Sequence, residues 1–182
     1  MEKNLELFVT DKRDLKVVEE CEKLALQNHR RNGGTLRCLG LVESYADYLV
    51  YAVKDNKIVG FVAVTKDWMG KNDLYLMQSA IDNNYKGQRI APTMYDYILK
   101  HSKGYDYVTA HIMNYNTNSQ KSLNRNYKFN EVDACDTEKF YYITPDEIKQ
   151  QAKVSELLSL KKTEKQFNPI TKKVYSMGTG KN

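Results

Sequence analysis

Apolar and polar positions alternate along this chain in short runs of two kinds. Asn4–Val9 alternates with period two and predicts a first strand. Within Asp11–Arg31, Leu15, Val18, Cys21 and Ala25, flanked by Val17 and Leu24, recur at helical spacing, and Gly33-Gly34 is a stop signal. Residues 35–46 are irregular, with a second short helix as the most the pattern offers. Two β-rich runs follow, Asp47–Lys54 and Lys57–Thr65, joined by the hairpin signal Asp55-Asn56. Trp68–Asn72 reads as a loop and Asp73–Ile81 as the next strand. After a loop containing a glycine come a helix from Ile90 to Lys103, a strand over Tyr105–Met113 and a polar helix over Asn116–Asn126. Phe129–Ala134 and Lys139–Ile143 close as a hairpin.

The order β-α-ββ-β-α-β-α-ββ predicts an α+β fold, a mixed, mostly antiparallel sheet flanked by helices. A C-terminal helix follows: Thr144 is placed to cap it, Pro145 sits at its first position, and Glu147 completes a capping box. From Lys161 the chain is lysine-rich and apolar-poor, and is expected to be extended. The expected division is a main domain over residues 1–148 and a helix with basic tail over 149–182.

Charge follows the same division. The net charge of +5 comes from residues 149–182, where eight lysines face Glu156 and Glu164 for +6, leaving −1 in residues 1–148. A nucleic-acid partner is therefore conceivable only through the tail, since the body has no basic stripe. No apolar run approaches a membrane span and the N-terminus has no signal pattern, so a cytoplasmic protein without membrane partner is expected. Cys21, Cys38 and Cys135 are odd in number and widely spaced, which predicts neither disulfides nor a metal site.

The informative string is Ile81-Asp82-Asn83-Asn84-Tyr85-Lys86-Gly87-Gln88-Arg89-Ile90-Ala91. A strand enters a loop with one glycine and then a helix, whose first N–H groups lack partners and lie at the positive end of its dipole. Such a turn suits a pyrophosphate. The Gly-Lys-Ser/Thr of a P-loop and the Gly-x-Gly-x-x-Gly of a dinucleotide fold are both absent. An ordinary turn with a glycine for positive φ is the plain alternative.

This string resembles the turn of the GNAT N-acetyltransferase superfamily, in which a Val-Asp-Pro-like strand end precedes Tyr-Arg-Gly-x-Gly-x-Gly/Ala. Ile58-Val59-Gly60-Phe61-Val62 is similar to the family's hairpin, and Asn116-Thr117-Asn118-Ser119 to its Asn-x-x-Ser/Ala helix start. The likeness covers roughly Tyr45–Ile143. It implies an enzyme that transfers acetyl from acetyl-CoA to a primary amine of unidentified identity, by direct attack in a ternary complex. By the resemblance, the backbone of Gly87, Gln88, Arg89, Ile90 and Ala91 with the side chains of Lys86 and Arg89 would hold the pyrophosphate. Main-chain groups at Ala80 and Ile81 would pair with the pantetheine, and Asn116 and Ser119 would lie beside it.

The sequence departs from the family in two places. Arg89 replaces the second glycine, and its side chain either reaches phosphate or points to solvent. Leu123 stands where the family often has a tyrosine acid, which leaves Tyr127 as candidate acid or as a packing aromatic. An amine with a pKa near ~10.4 must lose a proton before it attacks. In the strand before the loop, Tyr75, Met77 and Ser79 are read on one face and Leu76, Gln78 and Ala80 on the other, without a carboxylate. His111 lies between Thr109 and Met113 on one face of the next strand, as a candidate base or a structural histidine. His29 and His101 are read as exposed. A non-catalytic acyl-CoA-binding module and a nucleic-acid-associated protein using its tail remain the rival readings.

Overall fold

The computed structural model describes residues 4–11, 14–32 and 46–167, with side chains for 4–11, 14–28 and 46–159. Cys38, Gly33-Gly34, the irregular stretch up to residue 45, the His29 side chain and the end of the tail lie outside these residues.

Among the described residues, β1 (Glu6–Asp11), β2 (Tyr48–Lys54), β3 (Lys57–Lys66), β4 (Asp73–Ile81), β5 (Tyr107–Met113), β6 (Asn130–Cys135) and β7 (Glu138–Ile143) form one sheet. Their spatial order is β1-β2-β3-β4-β5-β7-β6, antiparallel throughout except for β4 beside β5. The helices are α1 (Leu15–Asn32), α2 (Ile90–Lys100), α3 (Thr117–Leu123) and α4 (Pro145–Phe167). This is the α+β architecture that the apolar pattern predicts.

Local chemistry sets the boundaries. Asp55 and Asn56 both have positive φ, 54° and 61°, as a two-residue type I′ hairpin requires. Asp11 is still paired with Tyr48 in β1, and Asp14 starts α1 by accepting the Val17 N–H on Oδ1 at 3.3 Å. The helix therefore begins later than the periodicity suggests. At the other end of the chain α4 runs on through Phe167, where composition predicts an extended tail. Lys, Glu, Gln and Leu are all good helix formers, so no buried face is needed to continue it.

Two compact units result, one ending at Pro145 and one beginning at Asp146. In the first, α1 lays Val18, Cys21, Leu24 and Ala25 on Leu49, Phe61, Ala63 and Ala80. Phe61 is fully buried there, which contributes about 1.5–3 kcal/mol. Burial and the neighbouring Glu20 and Glu22 push the Cys21 thiol up to about 12, so Cys21 is an inert core residue.

The neighbouring residue Gly60 points to the other face. A Cβ there would lie 2.6 Å from Ile81 Cδ1, 3.1 Å from Ile90 Cγ2 and 3.3 Å from Met94 Cε. The glycine thus lets the N-terminal turn of α2 settle close against β3, on the face opposite α1. Ile90, Met94, Tyr95, Ile98 and Leu99 form the buried stripe of α2.

Candidate active site

The turn after β4 is fixed by one carboxylate. Asp82 is almost fully buried and donates its backbone N–H to the Val59 carbonyl at 2.8 Å. Its Oδ1 accepts from the Asn84 N–H at 2.9 Å, and its Oδ2 accepts from Lys57 Nζ at 2.5 Å. These bonds wind Asn83–Tyr85 into a short 3-10 turn and hold the Asp82 carboxyl below the usual carboxylate range, with the Lys57 bond the leading cause. The tip of the β2–β3 hairpin adds two ties, Lys54 Nζ to Gln88 Oε1 at 2.9 Å and Tyr85 Oη to Asp55 at 3.2 Å.

Gly87 then takes φ 82° and Arg89 φ 61°, ψ 20°, so Arg89 occupies the left-handed region at the N-cap of α2. Holding a non-glycine residue there costs about 1–2 kcal/mol. Its carbonyl receives both the Thr93 N–H at 3.1 Å and Thr93 Oγ1 at 2.8 Å. The backbone N–H groups of Gln88, Arg89, Ile90 and Ala91 meet no acceptor among the described residues, and Pro92 has none to offer. The Arg89 side chain is exposed, without a bonding partner among the described residues, and Lys86 is exposed beside it. Lys54, which the sequence does not single out, is brought to the same turn by its bond to the neutral Gln88 amide. Unpaired donors, a helix dipole and these cations suit a pyrophosphate.

Beside this turn the sheet opens. β4 and β5 pair only at Asp73–Tyr107, Leu74–Val108 and Tyr75–Thr109, and beyond that both strands continue without pairing to each other. Asp73, fully buried at the closed end, accepts from Thr109 Oγ1 at 2.8 Å and from the Met69 N–H at 2.9 Å. The open edge of β4 includes Ala80 and Ile81, and the Ile81 carbonyl already accepts from Asn28 Nδ2 of α1 at 3.0 Å. That bond fixes α1 to the end of β4.

A bulge changes the faces of β4. Leu76 pairs with Val64 but Gln78 with Ala63, which leaves Met77 as the extra residue. After it, Ser79 turns to α2 and bonds Tyr95 Oη at 2.8 Å, while Gln78 and Ala80 face α1 with Met77. Tyr75, opposite Thr65, shares that face. The strict alternation that groups Tyr75 with Ser79 and against Gln78 is therefore broken, because one inserted residue reverses every later side chain.

His111 lies on the α1-facing side of the opening. It is half-buried between the edge of the Tyr75 ring, 5.8 Å away, and the Phe140 ring at 4.9 Å. Neither ring nitrogen has a hydrogen-bond partner among the described residues. Three buried side-chain oxygens also lack partners among the described residues: Glu22 Oε1 on α1, Gln78 Oε1 on β4 and Asn83 Oδ1 in the turn. Such acceptors call for donors beyond the described residues. The sequence hides them, because Glu22 reads as a solvated helix position and the bulge is not visible in it.

On the α2 side, Asn116 caps α3 by accepting the Ser119 N–H at 3.2 Å, and both residues are half-buried. Leu123 is buried. Tyr127 is buried, and burial first, then the charge of Asp96 on α2, pushes its pKa up. His101 is exposed, with Nδ1 at 2.7 Å from the Tyr97 carbonyl. Among the described residues no group of three His, Cys, Asp or Glu could hold a metal, and no helix is long and apolar enough to cross a membrane.

Residues 11–129 match the acetyltransferase (GNAT) family. No curated protein matches the sequence. An acetyltransferase of the GNAT family from Staphylococcus aureus Mu50 is 16% identical, covers 78% of this chain and 99% of its own, and superposes with a TM-score of 0.64. The PaiA N-acetyltransferase from Thermoplasma acidophilum, solved with coenzyme A, is 13% identical over 78% of this chain and 99% of its own, with a TM-score of 0.62. Diaminobutyrate acetyltransferase EctA from Paenibacillus lautus, solved with L-2,4-diaminobutyric acid and coenzyme A, is 16% identical over 79% and 96%, with a TM-score of 0.56. At such identities the structures establish a shared fold. The family match spans more than half of the chain and contains both the turn before α2 and the parted strands, and on that ground this chain belongs to the acetyltransferase (GNAT) family.

Proposed function

We propose that the chain transfers an acetyl group from acetyl-CoA to a primary amine, by direct attack within a ternary complex. The observation that carries this reading is the parting of β4 from β5 beyond Tyr75 and Thr109, beside the unpaired donors at the start of α2. The turn Lys86–Ala91 suits the pyrophosphate, the open edge at Ala80 and Ile81 suits the pantetheine amides, and Asn116 and Ser119 border the other side. The chemistry takes one proton from the ammonium before attack, forms a C–N bond and breaks the thioester C–S bond, with nitrogen losing a second proton and sulfur gaining one. His111 is assigned the first proton, since its nitrogens are not committed to other groups among the described residues. Tyr127 is assigned the proton that sulfur receives.

The test is incubation with acetyl-CoA and a panel of amines and peptides, read by mass spectrometry, with calorimetry on CoA in parallel. Acetylated product with tight CoA binding is the expected outcome. No CoA binding at millimolar ligand removes the reading. Binding without transfer points to an acyl-CoA-binding module, which the buried Leu123 favours.

A further inference from the structure

We propose that the acceptor is a monoamine carried on a flat aromatic body, held along a line of rings on the α1-facing side of the sheet with its nitrogen at Gln78 and Glu22. This rests on reading the β4–β5 opening as the seat of the thioester, and goes beyond it by naming the acceptor's chemistry.

The rings come from separate parts of the chain and are brought together by strand pairing. Trp68 stacks on Tyr75 with centroids 5.4 Å apart, Tyr75 meets His111 edge-on at 5.8 Å, and His111 meets Phe140 at 4.9 Å. Phe140 stacks on Tyr142 at 6.0 Å. The registers Tyr75–Thr109, His111–Phe140 and Thr109–Tyr142 place them on one face, and Tyr75 is the last paired residue before the strands part. The line therefore ends at the opening. Tyr75, His111, Phe140 and Tyr142 are half-buried and Trp68 is 46% exposed, so the rings still offer area to a flat guest.

At the margin of this surface stand two acceptors in need of a donor. Gln78 is on the same face of β4, between the rings and the part of the sheet that α1 covers. Glu22 is on the flank of α1 nearest the opening. Glu20, whose charge reaches Lys57 at the start of β3, marks the opposite flank, and Glu22 lies about 200° around the helix from it. The buried oxygens of Glu22 and Gln78 have no partner among the described residues. An ammonium supplies donors to both, and a single positive charge matches a single carboxyl group. His111 joins the ring line and has uncommitted nitrogens, so it sits where the bound amine gives up its proton.

Steady-state rates with phenethylamine, propylamine and spermidine test this, alongside calorimetry of CoA on the same preparation. The expected kcat/KM for phenethylamine exceeds that for propylamine and spermidine by about tenfold or more. Phe140→Leu should raise the KM for phenethylamine about threefold to tenfold, and Phe140→Tyr should restore it. Glu22→Gln should raise the same KM about tenfold with smaller change in kcat. Melting temperatures show which variants fold, and Phe140→Tyr with Glu22→Gln keeps the test open if Phe140→Leu does not. Preference for propylamine or spermidine, or an unchanged KM in folded Phe140→Leu and Glu22→Gln, overturns the inference while CoA binding stands. Loss of CoA binding in the unaltered chain overturns the underlying reading, and this inference with it.

Discussion

The two sides of the parted strands are built from different material. On the α2 side the chain offers main-chain donors from four consecutive residues, Gln88–Ala91, set by two positive-φ residues and a buried aspartate. On the α1 side the described residues offer side chains: rings from the β3–β4 loop, β4, β5 and β7, and oxygens from α1 and β4. A backbone site tolerates almost any side chain that permits its φ values. A side-chain site changes with every substitution. The first arrangement suits a constant ligand and the second a ligand that differs between relatives.

The largest effect expected from breaking this division is at His111. His111→Ala should lower turnover by about 10²–10⁴-fold with little change in CoA affinity, as loss of a general base does. Because the imidazole packs on Phe140 and Tyr75, His111→Phe is the sharper variant. It keeps a ring and removes both nitrogens, so a folded and fully active His111→Phe would take this residue out of the chemistry. Steady-state rates with thermal melts on the same samples separate the two roles.

The α2 side should break differently. Gly87→Glu should weaken CoA by about 100-fold and leave the acceptor side intact. Open space surrounds the Gly87 Cβ position, so bulk is not the reason. The φ of 82° disfavours any side chain, and a carboxylate beside an anion seat repels phosphate. Calorimetry with CoA reads this, and unchanged affinity would move the phosphate elsewhere. Arg89→Gly is subtler. It should cost about tenfold in CoA affinity through one charge-assisted bond, leave pantetheine affinity unchanged, and raise fold stability by about 1 kcal/mol by relieving the left-handed residue. Equal loss for CoA and pantetheine would show that the guanidinium does not reach phosphate.

The division also explains what could be read from the sequence. Gly87, Asp82 and the strand before them lie within a few residues of each other, and a turn of that kind is specified locally. The same holds for Asp55-Asn56 and for the stripes of α1 and α2. The ring line joins Trp68 to Tyr142, and only the registers of β4, β5 and β7 align it. The alternation sets Gln78 on the face opposite Tyr75, because the bulge at Met77 leaves no mark in it. Lys54 gains its role only when the hairpin folds over the turn to reach Gln88. Residues that act through long-range pairing are legible as types but not as neighbours.

The smallest effect concerns the pair that holds the turn, and it has a sign. The carboxyl of Asp82 sits below its ordinary pKa because Lys57 and the Asn84 N–H favour the charged form, while burial acts against them. A group depressed in the folded state adds stability that is fully present above its unfolded value near ~3.9 and is lost as pH falls through the folded value. The turn should therefore loosen in acid, in the range below the usual carboxylate pKa, and CoA binding should fall there with it. Lys57 is half exposed, which holds the contribution to about 1–2 kcal/mol. Asp82→Asn should remove that much stability at neutral pH and flatten the acid limb of the melting temperature, since the group that titrates is gone. Its oxygen can still accept from Asn84, so the 3-10 turn should survive and CoA should weaken only a few-fold. An acid limb as steep in Asp82→Asn as in the wild type would mean that other carboxylates control acid stability, and that the Lys57–Asp82 pair is not what holds the turn before α2 in place.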